Sequence, residues 1–230
     1  MVIICFITVF GNVKKGSIYF NFLVYWNMIS IITGDIINSR KLTSTVWMEG
    51  LKHILNRYGA NPKDWEIYRG DEFQLEVALP EDALHIALQI KAYLKTAKLD
   101  ARMSIGWGDK TYRSERISES NGTAFVRSGE LFEQLKKQKS TLAINTGNVD
   151  FDKEINLMLR LGQTFMNNWL VQSAEFILIA MENPSFSQEE IGAQLKINQA
   201  AVSRRRKRAQ YDLVLELENY YRQKIKTLQP

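Results

Sequence analysis

The sequence is poor in cysteine and histidine, and it has no long uninterrupted apolar run. Its 230 residues include one cysteine, Cys5, and two histidines, His53 and His85. A single cysteine excludes an internal disulfide framework, and so few sulfur and imidazole ligands exclude a zinc site built from them. The apolar stretches are shorter than the roughly 20 residues that cross a bilayer, so no stable membrane span is predicted.

The composition is that of an ordinary globular protein with a modest excess of positive charge. Apolar residues make up 45% and charged residues 24% of the chain, and the net charge is +5. These values exclude disordered, collagen-like and disulfide-rich classes. The length suits one large domain or two small ones. We expect a cytoplasmic location.

Residues 1–27 contain two short apolar runs separated by a polar segment with Lys14 and Lys15. Their positive charge follows the first run, whereas a secretory signal carries it ahead of the apolar stretch. Three interpretations stay open: an added hairpin, a membrane-surface anchor, or non-native sequence ahead of a true start at Met28. The last is favoured because a strand pattern begins directly after Met28.

The pattern from residue 28 to about 150 predicts the order β-α-β-β-α-β-α-β. The first strand is expected over 29–33 and the first helix over about 43–58. This order is typical of an α+β domain with a ferredoxin-like, split βαβ arrangement. A connecting helix is expected over 151–171, and an all-α helix-turn-helix domain over 172–230.

Residues 186–208 carry the most specific pattern in the chain. Ser187 and Glu190 form a capping box that opens one helix, and a three-residue turn at 196–198 precedes a second helix. The pattern resembles the helix-turn-helix of sigma-factor and Crp-like regulators, whose second helix enters the DNA major groove. The candidate DNA-binding residues are Asn198, Gln199, Ser203, Arg204, Arg205, Arg206, Lys207 and Arg208. The alternatives are a solvated basic helix and a protein-binding helical hairpin.

The last helix carries apolar residues at helical spacing, including Leu213, Leu217 and Ile225. Such a helix either packs on the chain itself or pairs with a second copy. A homodimer would suit palindromic DNA.

Carboxylates are expected to gather at one edge of the first domain. Asp35 follows the first strand, and Asp71 and Glu72 lie at the tip of a predicted hairpin, so the three are candidate Mg²⁺ ligands. The turn after Asp35 is expected to present backbone amides at a helix start, together with cations, for a nucleotide phosphate; its candidate residues are Ile36, Asn38, Ser39, Arg40 and Lys41. The alternative is that the carboxylates only cap turns.

Three segments of this domain resemble nucleotide cyclases. Residues 32–36 (ITGDI) resemble the first-strand metal motif of class III cyclases and GGDEF proteins, 69–73 (RGDEF) the GGDEF hairpin, and 102–108 (RMSIGWG) a later strand. Class III cyclases place Asn and Arg where this chain has Val126 and Glu130. The resemblance therefore implies metal and nucleotide binding but not cyclisation.

The whole chain resembles the bacterial SatD family, whose name comes from an acid-tolerance operon. Three hypotheses for function follow. The favoured one is a DNA-binding regulator with a palm-like, nucleotide-sensing domain. The others are a Mg²⁺-dependent nucleotidyl cyclase or nucleotidyltransferase, and a non-catalytic interaction or membrane-surface module that uses residues 1–27.

Overall fold

The computed structural model describes residues 28–138 and 140–228, so the predictions for 1–27 lie outside the described residues. The described chain is an α+β protein. Its strands are β1 (Met28–Ile37), β2 (Trp65–Tyr68), β3 (Glu72–Val77), β4 (Asp100–Asp109) and β5 (Leu142–Asn145). Its helices are α1 (Met48–Asn56), α2 (Ala83–Thr96), α3 (Thr123–Gln138), α4 (Val149–Met166), α5 (Val171–Glu182), α6 (Gln188–Leu195), α7 (Gln199–Ala209) and α8 (Tyr211–Leu228). Short 3₁₀ turns lie at Ser39–Lys41, Ser44–Val46, Pro80–Asp82 and Ile117–Glu119.

The strands form one mixed sheet in the order β2-β3-β1-β4-β5. The first three pairings are antiparallel, and β4 pairs with β5 in parallel. The central strand β1 is buried on both faces, and its isoleucines point to both of them. Ile29 and Ile31 pack beneath α3, whereas Ile32 and Ile36 belong to the larger core on the opposite face.

The C-terminal helices share that larger core with the sheet. The Tyr221 hydroxyl on α8 donates to the Pro80 carbonyl at 2.8 Å, and Arg222 pairs with Asp82. The apolar cluster runs without a break from β1 to Ile225. The division at residues 150 and 171 stays a prediction, but the parts on either side of it pack as one body.

A buried ion pair joins the sheet to α2. The Lys91 ammonium is fully buried and lies 2.6 Å from the Asp100 carboxylate, which also holds Lys95 at 2.8 Å. Burial lowers the pKa of Lys91 to about 8, although Asp100 opposes this shift. Lys95 also donates to the Asn167 carbonyl between α4 and α5, so the network links the sheet to the C-terminal helices.

The predicted order of strands and helices over 28–145 is confirmed, but two boundaries were wrong. The first strand continues to Ile37, so Asp35 lies inside β1 rather than after it. The first α-helix begins at Met48 rather than near 43, because residues 44–46 form a separate 3₁₀ turn. Within the described ranges, no helix is both long enough and apolar enough to cross a membrane.

Candidate functional site

The helix pair α6–α7 is held at both of its starts by side-chain caps. The Glu190 amide donates to Ser187 Oγ at 3.2 Å, and the Ser187 amide donates to Glu190 Oε2 at 2.6 Å. These hydrogen bonds hold the pKa of Glu190 below its usual range. Asn198 Oδ1 accepts from the Ala201 amide at 2.9 Å and caps α7. The predicted capping box is therefore confirmed, and Asn198 caps the second helix.

The turn between the two helices is tight. Lys196 adopts a left-handed conformation with φ of 55°, and the Ile197 amide returns to the Gly192 carbonyl at 2.9 Å. A Cβ on Gly192 would lie 2.7 Å from the Ile197 carbonyl oxygen, so only glycine allows this approach. Ile191 and Val202 are buried and fix the two helices against the rest of the chain.

One side of α7 faces solvent, and we call it the outward face. Its exposed residues recur at helical spacing: Gln199, Ala200, Ser203, Arg204, Lys207 and Arg208. The small residues Ala200 and Ser203 leave room for a close approach, and cations lie beside and beyond them. For the three cations Arg204, Lys207 and Arg208, the structure shows no ion partner within residues 28–138 and 140–228.

The remaining two cations of the run turn toward the chain. Arg205 donates to Glu175 Oε2 at 2.9 Å and to the Gln172 carbonyl at 3.3 Å, both on α5. Arg206 binds Asp212 Oδ1 through Nε at 2.9 Å and through Nη2 at 2.6 Å. The structure therefore divides the predicted DNA-binding residues into two groups. Arg205 and Arg206 contact the neighbouring helices and are not on the outward face.

The C-terminal end of α7 is fixed by aromatic residues that the sequence did not single out. The Trp169 indole donates to the Ala209 carbonyl at 3.0 Å and is buried. Tyr211 lies beneath α7 and meets Phe176 edge to face at 5.3 Å. These contacts attach the C-terminal end of α7 to the neighbouring helices.

The carboxylate candidates Asp35 and Asp71 lie together in a second feature, which we call the acidic cleft. It encloses about 420 Å³. It is lined by both carboxylates, by the whole predicted phosphate-binding segment and by Arg102; these residues are Asp35, Ile36, Ile37, Asn38, Ser39, Arg40, Lys41, Asp71 and Arg102. Arg102 was missed as a site residue, although it lies in one of the cyclase-like segments and opposite Asp35 in the β1–β4 register.

The two carboxylates differ in their partners. Asp35 Oδ2 accepts from Arg102 Nη1 at 3.0 Å, whereas Asp35 Oδ1 is buried without a hydrogen-bond partner. Burial raises the pKa of Asp35 above its ordinary value, and the Arg102 charge opposes this. Asp71 Oδ2 accepts from the Ser39 hydroxyl at 2.5 Å. The cleft therefore offers an unused acceptor beside a cation.

Glu72 lies outside the cleft lining. It is the cross-strand neighbour of Asp35, but it contacts Lys136 at 3.3 Å and Arg69 at 3.6 Å. Among the described residues, no three acidic, histidine or cysteine side chains form a group able to hold a metal. Asp35 and Asp71 with ligand phosphates would still meet the usual needs of Mg²⁺.

The backbone after Asp35 differs from the predicted anion site. The Ile36 amide donates to the Asp71 carbonyl at 3.1 Å within the sheet edge, so it is not free to bind phosphate. Asn38 is left-handed, and Ser39–Lys41 forms a single 3₁₀ turn rather than the start of an α-helix. Recognition of an anion would depend on the exposed side chains of Arg40 and Lys41 and on Arg102.

The positions compared with cyclases lie on α3. Val126 and Glu130 are exposed, and Arg127 donates to the Trp107 carbonyl at 2.6 Å. Trp65 and Trp107 are buried core residues. None of these residues supplies a free cation to the acidic cleft.

A sequence profile described as the SatD family matches residues 28–226. No curated protein and no solved structure matches the chain.

Proposed function

The chain belongs to the SatD family, and we propose that it is a bacterial DNA-binding regulatory protein. In this proposal α6 and α7 act as a helix-turn-helix, with α7 in the major groove. The supporting observation is the outward face of α7, where polar and cationic side chains are exposed. The opposite side of the same helix is buried against the core.

The order of residues along α7 suggests two roles. Gln199 and Ser203 lie in the first half, where recognition helices contact base edges, and both can hydrogen-bond to bases. Arg204, Lys207 and Arg208 follow toward the C-terminal end and would contact phosphates. The alternative of a merely solvated basic helix does not require two small residues at the centre of the face.

The test is the selection of duplexes from a random library by the full-length chain, followed by anisotropy titration of the enriched sequence. We expect one common sequence to be enriched. Ser203→Glu should weaken its binding more than tenfold, because it places a carboxylate against bases and phosphates. Thr45→Glu, an equal charge change on an exposed turn, is the control and should bind like the wild type. Failure to enrich any sequence would refute the proposal.

The acidic cleft supports a second part of the proposal, a nucleotide sensor. The strand order 2-3-1-4 around β1 is that of a split βαβ sheet, and we propose a ferredoxin-like, palm-type relationship on that basis. Asp35 and Asp71 would hold Mg²⁺, and Arg40, Lys41 and Arg102 would bind phosphate. The unpartnered Asp35 Oδ1 is the atom that most needs such a ligand.

Calorimetry with ATP or GTP and Mg²⁺ tests the sensor. We expect Mg²⁺-dependent binding that Asp35→Asn and Asp71→Asn weaken, while Glu72→Gln, outside the cleft lining, leaves it nearly unchanged. The absence of any Mg²⁺-dependent heat in the wild type would refute the sensor. A cyclic or pyrophosphate-releasing product that Asp35→Asn loses would instead favour the alternative, a Mg²⁺-dependent nucleotidyl cyclase or nucleotidyltransferase.

A further inference from the structure

A second cavity adjoins the acidic cleft, between α3 and the hairpin of β2 and β3. It encloses about 380 Å³, and we call it the hairpin crevice. One wall is the sheet and the other is a face of α3. The sheet residues that line it include Thr33, Tyr68 and Gln74, and the α3 residues include Gly129, Phe132 and Lys136.

The hairpin crevice and the acidic cleft meet across one pair of residues. Asp35 lines the cleft, Glu72 lines the crevice, and the two are cross-strand partners on β1 and β3. Thr33 lies two residues before Asp35 on the same face of β1, about 7 Å away, and its partner on β3 is Gln74. A ligand with its phosphates in the cleft can therefore reach the crevice with its remaining part.

The charged side chains of the hairpin crevice are paired with one another. Lys136 lies 2.9 Å from Glu133 and 3.3 Å from Glu72, and Arg69 lies 3.6 Å from Glu72. Two cations thus balance two anions. The crevice is therefore suited to a neutral part of a ligand rather than to a charged one.

Gln74 is the polar side chain best placed to recognise a neutral group. Its Nε2 makes one long hydrogen bond, 3.4 Å to Thr33 Oγ1, and within residues 28–138 and 140–228 the structure shows no hydrogen bond to its Oε1. The amide thus offers a donor and an acceptor side by side. Adenine presents the complementary pair, its N6 amine and N7, whereas guanine presents two acceptors on that edge. The half-buried Tyr68 adds an aromatic ring, on which bases stack.

Gly129 keeps the hairpin crevice open from the side of α3. A Cβ at this position would meet no atom within 4 Å, although Gly129 lies inside α3 and lines the crevice. Glycine inside a helix is destabilising relative to alanine, and packing within the described chain does not demand it here. A larger side chain at position 129 would occupy space that belongs to the crevice.

We propose that the hairpin crevice binds the base of an adenine nucleotide whose phosphates and Mg²⁺ lie in the acidic cleft. The proposal rests on the nucleotide sensor proposed above and names the base that this sensor recognises. Gln74 hydrogen-bonds to the N6 amine and N7 of the base, and Tyr68 lies against its ring. The sugar spans the step from Thr33 to Asp35.

Calorimetry of the full chain with Mg²⁺ and three probes, ATP, GTP and tripolyphosphate, tests the adenine site. We expect ATP to bind about tenfold tighter than GTP or tripolyphosphate. Gly129→Leu fills the crevice, so it should bind ATP no better than tripolyphosphate, while its affinity for tripolyphosphate stays that of the wild type. Gln134→Leu adds a leucine at an exposed position of α3 outside the crevice lining and should bind all three probes like the wild type. Thermal melting checks that each variant is folded.

A second variant tests the role of the amide. Gln74→Met keeps the length of the side chain and removes its hydrogen-bonding groups, so ATP and GTP should then bind about equally. A wild type that binds ATP no tighter than GTP and tripolyphosphate, or an unchanged ATP affinity in Gly129→Leu, would overturn the adenine site and leave the sensor standing. A preference for ATP that persists in Gln74→Met would also overturn it. The absence of heat with all three probes would overturn the sensor and the adenine site together.

Discussion

If α7 binds DNA as proposed, the salt dependence of that binding should distinguish the roles of the α7 cations most sharply. The perturbation is the joint substitution of Arg204, Lys207 and Arg208 by alanine, since all three are on the outward face. Each phosphate contact contributes about 0.9 to the slope of log K against log salt for duplex DNA. If all three contact phosphate in one bound protomer, the slope per protomer flattens by up to about 2.7.

The matched control removes cations from the same helix but from its inner side. Arg205→Ala and Arg206→Ala delete charges that are already paired with Glu175 and Asp212. Neither should change the salt slope by a full phosphate contact. Each should cost about 0–1 kcal/mol of stability, because partly exposed ion pairs contribute little.

The assay is fluorescence anisotropy of a labelled duplex across a series of KCl concentrations, with melting temperatures measured in parallel. An unchanged slope in the triple variant would remove the outward face from the interface. Equal flattening by Arg205→Ala and Arg206→Ala would show that only net charge matters and that the orientation of α7 does not. Either result would refute the assignment of roles.

Three further predictions concern stability. Lys91→Met should raise the free energy of unfolding by about 1–3 kcal/mol at neutral pH, because it removes a buried charge while the carboxylate partner keeps a second lysine. Burial lowers the pKa of Lys91 from 10.5 to about 8, so between these pH values the unfolded chain binds more protons than the folded chain. In urea titrations the wild type should therefore become more stable as pH rises from about 8 to 10.5, and the stability difference between the variant and the wild type should shrink. Ser187→Ala should cost about 1 kcal/mol in the same titrations through loss of the helix cap, whereas an unchanged midpoint would contradict the capping role. Burial raises the pKa of Glu218, but hydrogen bonds and charges from His85 and Arg222 outweigh burial and hold that pKa below its usual value. Stability should therefore be lost as pH falls below about 4.5, and the Glu218→Gln variant should lack this contribution to the loss.

The sequence was sufficient for the order of elements because that order depends on local patterns. The apolar run at 29–33, the turn at 70–71 and the capping box at Ser187 each act over a few residues. The length of β1 depends on something else. Gly34 and Asp35 are typical of a strand end, yet β1 does not end there. Both neighbouring strands, β3 and β4, pair with β1 as far as Asp35, and the pairing with β4 extends to Ile37. Hydrogen bonds from distant strands therefore override a local stop signal.

The inner position of two α7 arginines could have been derived from helical geometry. Five consecutive cations are spaced about 100° apart and cannot share one face. Once Val202 is taken as the buried contact, positions three and four residues later fall on its side of the helix, and these are Arg205 and Arg206. The buried Ala209, at seven residues, continues the same side. Composition alone treats the five cations as equivalent, whereas the buried position of Val202 leaves three of them, Arg204, Lys207 and Arg208, on the outward face.

The pairing of Asp35 with Arg102 has no such local origin. The two residues are 67 positions apart and meet because β1 and β4 pair in one particular register. A shift of one residue would turn Arg102 to the other face of the sheet and leave the Asp35 carboxylate without its cation. The charge balance of the acidic cleft is therefore a property of the sheet. Under the proposed sensor function, a bound phosphate would engage the Arg102 guanidinium and leave both Asp35 oxygens to a cation, so Arg102→Ala should weaken Mg²⁺-dependent nucleotide binding in the same calorimetry.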